Sequence, residues 1–301
     1  MMLFPLVLLS VLFIPANAFA WGGGIHLQLG SDLLNDLSLV RPAVAAVIGE
    51  FPYDFLYGCI AADITIGKKF THYLLHCHRW RMGMKVLEAA EADPQKACAY
   101  GYLSHLAADT VAHNYFVPYN IMGSFSSLAL KHAYWEMRVE TYVDREIWEV
   151  GRKVALENYR ANDALLRRVI SDTLFSFGTN KRIFNSILLV SRLEKWQNVM
   201  KSLSDNSRYT IEVEEFDECM AMAREAILGI LNEETESRFF TADPTGERAL
   251  ATAEMVRKNL RLLFQSGKVT RGDAQEQVKE MRGRLRDAIC APDRLLQILS
   301  G

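Results

Sequence analysis

Beyond residue 20, apolar residues recur every three or four positions along almost the whole chain. That period belongs to helices that turn one face toward a core. Gln28 to Glu50 follows it, with Pro42 dividing the stretch into two helices because proline brings no amide N–H to a helix interior. Tyr73 to Ala92 reads as another helix, ended near Asp93-Pro94. Gln95 to Phe116 carries the stripe Ala97, Tyr100, Leu103, Ala107 and Val111. Pro118 to Ser127 reads as a loop, and Leu128 to Lys153 as one long helix. Further helical stretches are predicted near 155–177, 180–203, 214–233, 244–266 and 270–299. Only Tyr209 to Val213 alternates briefly, and one short strand makes no sheet. There is no internal repeat and no low-complexity tract. The pattern predicts an all-α fold, a multi-helix bundle.

The first 20 residues have a different texture. They are apolar, carry no charged side chain and end in Ala18-Phe19-Ala20. This is the layout of a secretory signal cleaved before Trp21, although a basic n-region is missing. An uncleaved anchor is the competing reading, and Pro5, Pro15 and Asn17 weigh against it. The expectation is a secreted or periplasmic protein. The leader (1–20), a main domain (21–240) and a C-terminal helical extension (241–301) make up the expected organisation. The best boundary is Phe240 to Gly246, after which the chain is rich in Arg, Lys, Glu and Gln. Charged amphipathic helices of that kind ordinarily pack on a bundle with one face in solvent.

A net charge of -2 gives no footprint for duplex nucleic acid. With 50% hydrophobic residues the chain can bury a large core. The five cysteines (Cys59, Cys77, Cys98, Cys219, Cys290) are widely spaced, and they read as small buried hydrophobes rather than a disulfide framework.

Histidine changes the picture. All seven (His26, His72, His76, His78, His105, His113, His132) fall between residues 26 and 132, and the remaining 169 residues have none. His105, Asp109 and His113 follow one another at steps of four, so on a helix they form one polar ridge on an Ala/Leu/Val surface. Such groups cost desolvation energy unless paired or bound to metal. His132 and Glu136 repeat the step on the next predicted helix, and facing His/carboxylate ladders are a common metal architecture in bundles. Nitrogen and carboxylate donors without thiolates suit zinc, with manganese or iron as alternatives. A carboxylate such as Asp109 can bridge two ions, the arrangement that clamps a phosphoryl group during in-line displacement.

Taken in order, Trp21, His26, Asp63, His78, His105-x-x-x-Asp109, His113 and His132-x-x-x-Glu136 resemble the zinc-dependent phospholipase C family, which is related to the S1/P1-type single-strand nucleases. The resemblance spans residues 21 to about 140, and beyond that only helicity agrees. It implies up to three zinc ions between helices. Asp63, His78, His105 and Asp109 would hold one; Trp21, through its freed amino terminus, with His26 and Asp109 would hold a close partner; His113, His132 and Glu136 would hold the third. It also implies that a metal-bound hydroxide attacks phosphorus, with Asp63 and Asp109 as the catalytic carboxylates and Asp63 in proton handling. The three residues between Asp109 and His113 are fewer than in the family pattern. In His72-Tyr-Leu-Leu-His76-Cys-His78, His78 has the better spacing from Asp63 and His76 is the alternative.

The implied function is hydrolysis of phospholipids, at a membrane surface, to diacylglycerol and a phosphorylated head group. An S1/P1-like nuclease or nucleotidase, and a non-catalytic metal- or lipid-binding protein, are the alternatives. Glu136 rather than Asp at the last ligand position leans toward the phospholipase branch. The aromatic segment with Tyr115, Phe116, Tyr119 and Phe125 suits lipid contact, head-group binding, base stacking or capping of the bundle. Lys68, Lys69, Arg79 and Arg81 read as solvated or helix-surface charges rather than phosphate clamps. The sequence names no protein partner.

Overall fold

Prolines and small residues decide where the helices start and where they cross. The computed structural model describes residues 21–65, 77–127, 132–170, 175–191, 197–198, 201–202 and 209–299. The leader, His72, His76, Lys68 and Lys69 lie outside the described residues. The helices run in chain order as α1 (Gly23–Asn35), α2 (Pro42–Glu50), α3 (Pro52–Ala61), α4 (Trp80–Glu88) and α5 (Asp93–Val111). Next come α6 (Val117–Gly123), α7 (His132–Val139), α8 (Arg145–Leu156), α9 (Arg160–Val169) and α10 (Phe177–Ser191). The C-terminal part is α11 (Val213–Glu233), α12 (Glu247–Gln265), α13 (Arg271–Ala288) and the short α14 (Leu296–Leu299). Among the described residues there is no strand, so the all-α reading stands and Tyr209 to Val213 is corrected: Val213 opens α11.

Helix α5 is the axis. It packs against α2, α3, α4, α9 and α11, and its residues from Ala97 to Val111 are buried apart from Tyr100, which is half-buried. Asp93-Pro94 starts this helix rather than ending the one before. Pro94 sits in the first turn, where a missing N–H is harmless, and the Gln95 side chain accepts from the N–H groups of Glu91 and Ala92. Helix α3 meets α5 through Gly58 and Gly101. A Cβ on Gly58 would fall 2.0 Å from the Cys98 carbonyl oxygen, and one on Gly101 the same distance from that of Phe55. Only hydrogen fits between these backbones.

Two further boundaries differ from the periodicity. Pro118 lies in the first turn of α6, so the expected loop is mostly helix. The long helix expected over 128–153 breaks after Val139 into a 3-10 turn at Glu140–Tyr142, and α8 begins after Asp144. Helices α12 and α13 pack on α6 and on the turn before it, so the C-terminal residues share the core of the rest. No disulfide joins the five cysteines, all of which are described; four are buried. Among the described residues no single helix is long and apolar enough to cross a membrane. The one pair with suitable composition, Pro42–Glu50 with Pro52–Ile64, is bent by 97°.

Candidate metal centre

Two turns converge on α5. The 3-10 turn Ala62–Ile64 at the end of α3 presents Asp63, the turn before α4 presents His78, and α5 itself presents His105 and Asp109. All four side chains are buried. His78 Nε2 lies 3.2 Å from Asp63 Oδ1, 3.4 Å from Asp109 Oδ2 and 3.1 Å from His105 Nε2, and His105 Nε2 lies 3.2 Å from Asp109 Oδ2. With zinc–ligand bonds of about 2.0–2.1 Å, neighbouring donors of a tetrahedral site stand about 3.3 Å apart. The four contacts made by His78 and His105 therefore have the length of such a tetrahedron's edges.

The other Asp109 oxygen faces elsewhere. Oδ1 lies 3.3 Å from His26 Nε2 on α1. The His26 ring stacks on His105 with centroids 3.9 Å apart. Asp109 thus turns one oxygen toward each of two histidine sets, the geometry of a bridging carboxylate. Trp21 is buried next to this cluster in sequence and packs edge-on against Phe116, with ring centroids 5.9 Å apart.

A second group gathers His113, His132 and Glu136. Glu136 Oε1 lies 2.5 Å from His132 Nε2 and 3.5 Å from His113 Nε2. The short spacing between Asp109 and His113 is accommodated by a π-helical turn, Ala112–Phe116, which widens the helix at that point. His113 consequently reaches α7 and Glu136 rather than joining the ridge of His105 and Asp109.

The imidazoles are held from behind. His105 Nδ1 lies 2.8 Å from the Cys59 carbonyl, and His113 Nδ1 lies 2.6 Å from the Pro244 carbonyl. A proton on each Nδ1 donates to that carbonyl and leaves the Nε2 lone pair facing inward, the arrangement usual for metal-binding histidine. The Tyr102 hydroxyl donates to the Cys77 carbonyl at 2.6 Å and steadies the His78 turn.

Electrostatics favour a cation here. Burial would raise the Asp109 carboxyl, but the charges of His105 and His113 outweigh it and hold that group well below the ordinary carboxylate range. Burial pushes Glu136 up to about 8, with Asp63 and Asp109 adding to the effect against His113. Burial and the neighbouring His105 lower His26, which favours its neutral, metal-binding form. Both Asp109 oxygens, both Glu136 oxygens, His26 Nε2 and His113 Nε2 are buried without a hydrogen bond of normal geometry. Buried polar atoms left in that state are costly unless something binds them. Five imidazoles and three carboxylates, gathered in groups of three without a thiolate, fit divalent zinc.

Of the residues expected from the sequence, Asp63, His78, His105, Asp109 and His26 form one cluster and His113, His132 and Glu136 the other. His78 lies in the first cluster, while His76, its alternative, is outside the described residues. Trp21 brings no side-chain donor to either group. Tyr115, Phe116 and Phe125 are buried in the bundle, so of the readings open for that segment the structure favours capping. Arg79 differs from expectation: its guanidinium pairs with Asp243 at 3.2 Å and Glu247 at 3.0 Å, tying the His78 turn to the start of α12.

Two contributors were not foreseen. Glu140 accepts from the N–H groups of Gly24 and Ile25 at 3.1 and 3.0 Å, clamping the first turn of α1. Its signal was present, since His132, Glu136 and Glu140 extend one four-residue ladder. The Pro244 carbonyl left none, being backbone. Its segment is fixed by Asn114 Nδ2 donating to the Asp243 carbonyl and by Trp80 Nε1 donating to the Ala242 carbonyl. Gly246 has φ +58°, and a Cβ there would fall 2.3 Å from the His113 carbonyl oxygen.

With this geometry in hand, one comparison with known proteins bears on it. The family model described as zinc dependent phospholipase C matches residues 25–177, just over half of the chain. No curated protein and no solved structure matches it.

Proposed function

The chain belongs to the zinc-dependent phospholipase C family and is a zinc-dependent hydrolase of phosphodiesters, and from that premise we propose that it cleaves phospholipids into diacylglycerol and a phosphorylated head group. The division of Asp109 between two histidine sets carries this reading, because a bridging carboxylate serves paired ions and paired ions serve phosphoryl transfer. Asp63, His78, His105 and Asp109 would hold one zinc, Asp109, His26 and the freed amino group of Trp21 a second, and His113, His132 and Glu136 a third. When bound, zinc supplies positive charge to the phosphodiester and acidifies water.

The remaining work falls to the chain. The carbonyls of Cys59 and Pro244 fix the tautomers of His105 and His113. Glu140 holds the first turn of α1, the helix that carries His26. Asp63, next to His78, would take the proton released as water attacks phosphorus. Burial of the set, His132 excepted, keeps bulk water from competing with the substrate.

Export follows from the same reading. Removal of residues 1–20 would free the Trp21 α-amino group, whose ordinary pKa of about 7.7–8 allows it to lose a proton and bind metal near neutral pH. Cleavage of the leader is then also an activation step, and the protein acts outside the cytoplasm.

The deciding experiment is head-group release from mixed phosphatidylcholine/phosphatidylethanolamine vesicles, with a verified Trp21 terminus and zinc-loaded protein. Release that chelation abolishes is the expected outcome. No release from the zinc-replete enzyme would overturn the phospholipid assignment. Cleavage of single-stranded nucleic acid by the same sample would then place the chain with the nuclease branch.

A further inference from the structure

Helix α12 turns Ala249, Thr252, Ala253, Val256 and Leu260 inward. On its outer side Met255 is 48% exposed, Leu262 57% and Leu263 37%. Met255 and Leu262 are seven residues apart and so share one stripe, with Lys258 between them. From Met255 to Gly272, through the turn into α13, there are five basic residues and no acidic one. Arg257 is committed inward, to Glu254 and the Ser127 carbonyl. Lys258, Arg261, Lys268 and Arg271 form no ion pair among the described residues. Acidic residues resume only at Asp273, which caps α13 with Thr270.

This apolar stripe has a cationic rim and lies on a helix fastened to the metal centre at its other end. Gly246, just before α12, presses on His113, and Phe264 near its end meets Phe125 edge-on at 5.7 Å. We propose that the exposed face of α12 and the α12–α13 turn dock on a bilayer surface containing anionic lipid. Met255, Leu262 and Leu263 enter the head-group boundary, while Lys258, Arg261, Lys268 and Arg271 meet lipid phosphates. Charge complementarity selects this occupant: a second copy would bring the same cations against each other. The inference rests on the phospholipase reading for its purpose, delivery of the enzyme to its substrate, but not for its geometry.

The test uses the zinc-loaded chain beginning at Trp21 and two double variants, M255S with L262S and K258E with K268E. Co-sedimentation is measured with phosphatidylcholine vesicles with and without phosphatidylserine, alongside turnover of vesicles and of a short-chain phosphatidylcholine held monomeric. The parent is expected to bind the anionic vesicles in a salt-sensitive manner. Each double variant should bind them at least about tenfold more weakly and lose vesicle turnover to match, with monomer turnover unchanged. Equal vesicle binding by parent and variants overturns the proposal, as does a parent indifferent to anionic lipid. Variants that change only self-association do the same and assign the face to a second copy. If the phospholipase reading fails instead, neither lipid form is hydrolysed, yet the binding difference remains.

Discussion

Replacing Asp109 by Asn keeps its shape and removes its charge and one of its two acceptor oxygens. One of the two histidine sets then faces an amide NH2 instead of a carboxylate oxygen. The variant should lose zinc, measured by elemental analysis, and turnover should fall by on the order of a thousandfold, comparable with removing a charge-stabilising group from an active site. A variant with full zinc content would refute the bridging role. Gly246→Ala tests the other cluster without touching a donor. The added Cβ would fall 2.3 Å from the His113 carbonyl oxygen in a left-handed backbone, pushing the Pro244 carbonyl off His113 Nδ1. Loss of such an outer partner weakens metal binding by about 10- to 100-fold. Chelator competition should show one class of zinc released early, with the others retained. The sequence exposed the donors because imidazole and carboxylate at four-residue steps on an apolar helix have few other uses. It hid the Pro244 carbonyl because every residue has one, and it ranked His78 over His76 on spacing alone.

At the scale of helices, the crossing of α3 and α5 sets where Asp63 stands relative to His105 and Asp109. Gly101→Ala forces a methyl group to within 2.0 Å of the Phe55 carbonyl oxygen, and backbone cannot step aside as a side chain can. The expected cost is about 3 kcal/mol in denaturant unfolding, at the upper end for overpacking, together with weakened zinc binding. Gly283→Ala in α13 is the control, since a Cβ there meets nothing within 4 Å. It should stabilise the protein by about 0.5–1 kcal/mol through helix propensity. Equal effects of the two changes would remove the crossing from the account. Periodicity captured the helices themselves but misplaced several ends. Pro94 and Pro118 read as breaks, whereas both sit in first turns where proline fits. The break after Val139 has no proline to announce it: Glu140 leaves the helical path while its side chain takes the amides of α1. The π turn at Ala112–Phe116 was hinted at only by the short interval between Asp109 and His113.

For the whole molecule, metal and protons compete for the same groups, and this gives stability a sign that zinc should reverse. Without metal, Glu136 is raised to about 8 and Glu140 to about 7, in both cases chiefly by loss of hydration on burial. Below pH 4.5 these carboxyls are protonated whether the chain is folded or not. As pH rises from there the unfolded chain releases protons that the folded chain keeps. Stability then falls by about 1.4 kcal/mol per pH unit for each group until its folded pKa is passed. His105, raised by Asp109 and Asp63 against the effect of burial, acts in the same direction. His26 opposes it, because its lowered pKa removes a low-pH penalty as pH rises through 6.5. With two carboxyls and His105 against one imidazole, the metal-free protein should unfold at lower denaturant at pH 8 than at pH 5. Zinc requires the deprotonated ligands, so its binding free energy grows over the same range and the loaded protein should show the opposite slope. Paired urea titrations at the two pH values, with zinc and with chelator, test this. Parallel slopes would mean that Glu136 is not deprotonated by binding zinc. A metal-free chain folded at pH 5 and unfolded at pH 8 would be the same effect at its limit.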